Sequence, residues 1–153
     1  MNNLKIYIKS ILIPVIVGGI IGLIINPFIN YGSLNKPPLA PPGILFSIIW
    51  PILYVLMGIS YGILKSKKLV DSKISIVYYV QLGINALWSI FFFLLKWKLF
   101  SFIWILVLDV IVIYMIVLFY QKNKVAGILQ VPYLLWILFA SYLNIAIYVL
   151  NQK

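Results

Sequence analysis

Five unbroken apolar runs dominate this chain, at about residues 6–25, 44–64, 74–95, 99–120 and 126–150, separated by short polar links. Each is long enough to cross a hydrocarbon layer of about 30 Å at 1.5 Å per helical residue. The runs are continuous rather than alternating, so they predict helices and not the strands of a barrel. A soluble reading fails on quantity: 65% of the 153 residues are hydrophobic and 9% charged, more apolar surface than a domain of this size can bury. The expected fold is all-α and integral to a membrane, a single bundle of five transmembrane helices spanning residues 1–153, with one long non-helical connection at 26–43.

The residue inventory removes most chemistry. Cysteine, histidine, arginine and glutamate are absent, and the only acids are Asp71 and Asp109. Metal sites built on thiolate or imidazole, thiol nucleophiles, histidine bases, paired-carboxylate hydrolysis and the guanidinium grip on phosphate all lack their residues. No metal site and no required cofactor is expected. The net charge of +10 comes from twelve lysines, mostly at the ends of the apolar runs. On a membrane protein such charge reflects topology, so nucleic acid is not an expected partner; the bilayer is. Eight lysines (Lys5, Lys9, Lys65, Lys67, Lys68, Lys73, Lys122, Lys124) fall on the side of the amino terminus and four (Lys36, Lys96, Lys98, Lys153) on the other. The positive-inside rule then puts the amino terminus in the cytoplasm and the 26–43 loop and carboxyl end outside.

In the first run, the apolar stretch is too long for a secretory signal core and no small-residue cleavage site follows it. Pro14 is expected to bend this helix. Gly18 and Gly22 form a small-xxx-small pair, which serves either packing within the chain or a homodimer. The loop that follows carries prolines at 37, 38, 41 and 42. They stiffen it into a candidate lid, while Pro41-Pro42 equally well start the second helix.

On the second helix Phe46, Trp50, Tyr54, Met57 and Tyr61 recur every three or four residues and share one face. On the third, Gln81, Asn85, Trp88, Ser89 and Phe92 do the same, and polar groups at membrane depth turn inward to find partners. The fifth repeats the pattern with Tyr133, Trp136, Ala140, Leu143 and Asn144, and Pro132 frees a carbonyl one turn earlier. Three tryptophans, Trp50, Trp88 and Trp136, thus stand near inward faces. They either line a slot for a flat apolar ligand or simply pack the core. Asp109, near the middle of the fourth helix, has no intramembrane lysine to pair with. It is expected to be protonated or bonded to an Asn, Ser, Tyr or Trp group, with a structural role or a proton-relay role.

These residues resemble the tryptophan-rich sensory protein and translocator protein family, also called the peripheral-type benzodiazepine receptor family, in a bacterial form. The resemblance rests on Tyr31, Leu34, Lys36-Pro37, Pro41-Pro42-Gly43, Phe46, Trp50 and Leu53-Tyr54. It continues through Asn85, Trp88 and Phe91-Phe92 to Pro132-Tyr133-Leu134, Trp136, Phe139-Ala140 and Leu143-Asn144. It implies a five-helix bundle, often dimeric, with a pocket beneath the first loop for porphyrins, sterols and isoquinoline or benzodiazepine drugs. Carried over by position, the pocket uses Tyr31, Pro41, Trp50, Asn85, Trp88, Ser89, Trp136 and Ala140, to which the helical stripes add Phe46, Tyr54 and Phe92. The role implied is sensing, sequestration or transport. Some bacterial relatives also degrade protoporphyrin in light, which would make Trp50 and Trp136 the catalytic rings. Passage of small amphiphiles is a third reading.

Two positions depart from the family pattern: Asn30 and Leu39 stand where aromatic rings are usual, thinning the expected lid. A sterol-type pattern is formally present as Leu143, Tyr148 and Lys153, though such patterns often match by chance. Without histidine or cysteine, an iron porphyrin would lack its usual axial ligands, so a metal-free porphyrin is the better expected partner.

Overall fold

Lipid offers no partner for a backbone amide, so each apolar run closes on itself as a helix. The computed structural model describes residues 3–29 and 31–152. The helices are α1 (Asn3–Ile25), α2 (Gly43–Ser66), α3 (Ser72–Ser89), α4 (Lys98–Lys122), α5 (Lys124–Ile128) and α6 (Val131–Leu150), and no strand occurs among the described residues. They make five spans: a π-helical turn, Ile90–Leu94, prolongs α3, and α5 and α6 share the fifth. Asn30, and the terminal Lys153 of the sterol-type pattern, lie outside the described residues.

The fifth span differs from the single helix expected over 126–150. It breaks between α5 and α6, where the Gln130 amide turns back to the Gly127 carbonyl at 3.1 Å. Pro132 causes this, because it has no N–H to offer the carbonyl of Ile128 and its ring crowds that carbonyl.

Polar side chains fix the helix starts on the basic side of the bundle. Asp71 caps α3 by accepting from the Ile74 amide at 2.9 Å, and Asn123 caps α5 by accepting from the Ala126 amide at 3.1 Å. Asp71 also pairs with Lys122 at 3.2 Å, tying the start of α3 to the end of α4. The Ile74 amide first, then the Lys122 ammonium, hold this carboxyl below the ordinary range.

Helices α1 and α2 approach most closely where α2 carries Gly58 and Gly62. A Cβ at Gly58 would overlap the Ile11 backbone, and one at Gly62 would stand 2.8 Å from the Tyr7 ring. All eight buried residues of α2, Leu53 to Leu64, follow Pro51. There Tyr61 stacks on Tyr78 at 4.4 Å, Tyr78 on Phe119 at 6.1 Å, and the Ser60 hydroxyl donates to the Ala126 carbonyl at 2.6 Å. The half of α2 nearer the loop has no such core.

Candidate functional site

Beside that half lies a cavity of about 390 Å³, walled by α1, α2, α3 and α6 and roofed by the loop. Glycine and aliphatic side chains form the α1 wall, and aromatic rings dominate the others. On α1, Gly18 touches the Tyr54 ring so closely that any Cβ would overlap it, whereas a Cβ at Gly19 or Gly22 would meet nothing within 4 Å. Gly18 therefore makes a contact inside the chain, and Gly22 borders the cavity.

Phe46, Trp50 and Tyr54 line the cavity from α2, Trp88 and Ser89 from α3, Trp136 and Ala140 from α6, and Tyr31 from the roof. The structure thus brings together eight of the eleven residues expected there from sequence. The other three stand one layer behind. Pro41 accepts the Tyr31 hydroxyl on its carbonyl at 2.7 Å, Phe92 stacks on Trp88 at 5.4 Å, and Asn85 holds Tyr54 from below.

The floor is a closed hydrogen-bond chain. The Tyr54 hydroxyl donates to Asn85 Oδ1 at 3.0 Å, and Asn85 Nδ2 donates to the Tyr133 hydroxyl at 2.7 Å. Tyr133 in turn donates to Gln81 Oε1 at 2.7 Å. An unpaired group at this depth would be costly, so the chain fixes Tyr54 in one orientation. Trp50 stacks on that ring at 5.5 Å. Trp88 is held too, its indole N–H donating to Asn144 Oδ1 at 2.9 Å while Asn144 Nδ2 donates to the Lys98 carbonyl at 2.7 Å.

Trp136 differs. Phe46 meets it edge-on at 5.5 Å, and its indole nitrogen is buried without a partner. A buried donor without a partner is costly, so a small shift of this ring toward a bound polar group would gain a hydrogen bond.

The roof is clasped to α6. Asn35 and Asn151 exchange two hydrogen bonds, the Asn35 amide to Asn151 Oδ1 at 3.0 Å and Asn151 Nδ2 to the Asn35 carbonyl at 2.9 Å. The Tyr142 hydroxyl donates to the Pro38 carbonyl at 2.8 Å. Tyr31 packs on Phe46 at 5.2 Å beneath the Lys36 ammonium, which lies 4.8 Å from its ring centre. Burial raises the Tyr31 phenol above its ordinary range, so it stays a neutral donor. Leu39 is 83% exposed and takes no part in the cover.

Sequence reasoning missed Phe93, Ser47, Pro51 and most of the α1 wall. Phe93 reaches the cavity from the π-helical turn, which no periodicity announces. Asp109 lies apart from the site, between α4 and α6, where the Ser141 hydroxyl donates to Oδ2 at 2.7 Å.

The sequence profile of the TspO/MBR family matches residues 10–150. Tryptophan-rich protein TspO of Archaeoglobus fulgidus is 45% identical over 122 residues, 79% of each chain. Protein CrtK of Rhodobacter capsulatus is 32% identical over 137 residues, 87% of this chain and 85% of that one. The Translocator protein of Ovis aries is 31% identical over 126 residues, 80% of this chain and 75% of its own.

Proposed function

The chain belongs to the TspO/MBR family, and from that premise we propose that its cavity binds a flat, largely apolar ligand of the tetrapyrrole class, in sensing, sequestration or transport. The observation that carries this reading is the convergence of Phe46, Trp50, Tyr54, Trp88 and Trp136 on one cavity whose α1 wall includes Gly19 and Gly22. A volume of about 390 Å³ lies inside the range of about 300–1,000 Å³ common to small-molecule pockets. The rings offer stacking faces, and polar lining side chains such as Ser47 and Ser89 offer hydrogen bonds that set orientation. No charged side chain is among the described lining residues, so carboxylates on the ligand would stay at the rim. With no histidine or cysteine in the chain, a metal-free porphyrin suits the site better than haem.

Titration of the purified protein with protoporphyrin should quench tryptophan fluorescence at saturation. The double variant Trp50→Phe, Trp136→Phe should weaken affinity about tenfold, the equivalent of about 1.4 kcal/mol. Unchanged affinity in that variant would place the ligand elsewhere.

A second reading is favoured by one observation: Trp50 and Trp136 line the same cavity. It is light-driven oxidation of bound protoporphyrin by dioxygen, with these indoles as the redox-active groups. It predicts bleaching of the porphyrin bands and a new absorbing product in light and oxygen, neither of which survives in the double variant. For either reading, the lysine bias favours an orientation with the amino terminus inside and the roof outside, in what we take to be a bacterial cell membrane.

A further inference from the structure

The cavity has exposed lining residues at its roof-side rim, Asn26, Ile29 and Gly43, and again on one side. Its roof is tied to α6 by the reciprocal Asn35–Asn151 bonds and by Tyr142 to Pro38. Its floor is the Tyr54 ring with Gly18 pressed against it. On the side between α1 and α2, however, the lining residues Gly19, Gly22, Ser47 and Pro51 are all exposed. Glycine weakens a helix, and at 19 and 22 no neighbour demands it, in contrast to Gly18 and Gly58. What the two missing side chains leave is the gap itself. On α2, Pro51 has no N–H for the Ser47 carbonyl, so a polar backbone group stands at the edge of an apolar opening. At 1.5 Å per residue these four positions lie about 5–12 Å below the roof-side helix ends, at hydrocarbon depth.

We propose that this opening is a lateral portal, through which the cavity exchanges planar apolar ligands with the hydrocarbon of the bilayer rather than with water past the roof. Gly19 and Gly22 set its width and so limit which ligands pass. The inference rests on the reading of the cavity as a ligand site, but its test needs no ligand.

The chain has no cysteine, so Ala140→Cys, on the far wall and only 3% exposed, introduces a single thiol inside the cavity. In liposomes N-phenylmaleimide, which partitions into lipid, should label it faster than a sulfonated, water-confined maleimide. Adding Gly19→Leu should slow labelling by about tenfold or more, and adding Asn151→Ala, which unclasps the roof, should change it by less than about twofold. Ser89→Cys is a second, nearly isosteric reporter if Ala140→Cys folds poorly. Labelling that is faster from water, insensitive to Gly19→Leu and accelerated by Asn151→Ala would overturn the portal. Absence of protoporphyrin quenching would overturn the ligand assignment and leave this result standing.

Discussion

Before Pro51, α2 presents Phe46 and Trp50 half-buried beside a void; after it, Met57, Tyr61 and Leu64 are packed to between 0% and 5% exposure. Both halves are equally apolar and both carry large rings. What differs is where the glycines sit. In the second half α2 supplies them, and Gly58 and Gly62 meet backbone and ring atoms of α1 at contact distance or closer. In the first half α1 supplies them, at 19 and 22, with nothing opposite within 4 Å. Glycine facing a helix backbone draws two helices together, and glycine facing space leaves a chamber.

The largest effect should come from Gly58→Ala. Its Cβ would overlap the Ile11 backbone and stand 2.7 Å from the Ser10 carbonyl oxygen, neither of which can rotate away. A loss of about 2–3 kcal/mol is expected, read as thermal unfolding in detergent. Gly22→Ala in the other half should instead be stabilising, and a similar loss there would erase the distinction.

Next is Tyr133→Phe, which orphans Asn85 Nδ2 and Gln81 Oε1 in the buried chain. It should cost about 1–3 kcal/mol of stability. Because Asn85 steadies Tyr54, it should also weaken protoporphyrin binding; a stability loss with unchanged binding would uncouple the floor from the cavity.

Leu39 comes third. It has φ 72° at the third position of a turn closed by the Ala40 amide to the Pro37 carbonyl, a place suited to Gly or Asn. Leu39→Asn should raise the melting temperature, by up to about 1 kcal/mol in stability, without altering the cavity. The gain from Gly22→Ala should be about 0.5 kcal/mol, from restored helix propensity alone.

The smallest effect is the pH response of Asp71. Its carboxyl is held low in the folded chain, so its contribution is complete above the ordinary carboxylate value and lost as pH falls through the lowered one. The pair with Lys122 is exposed, and Asp71→Asn keeps the cap. Melting curves of the two forms should differ slightly near pH 7 and converge as pH falls below the ordinary carboxylate range.

The helices were legible because lipid leaves a long apolar run no other choice. The inward faces were legible too, since buried Gln81 and Asn85 could not be left facing lipid. The break at Gln130 needed the local effect of Pro132, which the sequence shows but whose outcome depends on how the freed ends repack. The Asn35–Asn151 clasp joins residues at opposite ends of the chain and leaves no local pattern. Gly18, Gly19 and Gly22 look alike in sequence, and only the position of Tyr54 separates the one in contact from the two that leave space.

The proposed ligand position is the hollow half of the bundle, against Trp136. Spectra of protein carrying ¹⁵N only in tryptophan test it directly, through the five indole N–H signals. On adding protoporphyrin, the Trp136 and Trp50 signals should shift. That of Trp104, whose N–H is already bonded to the Ile84 carbonyl at 2.8 Å outside the cavity, should stay. Movement of Trp104 with Trp136 unchanged would contradict the account.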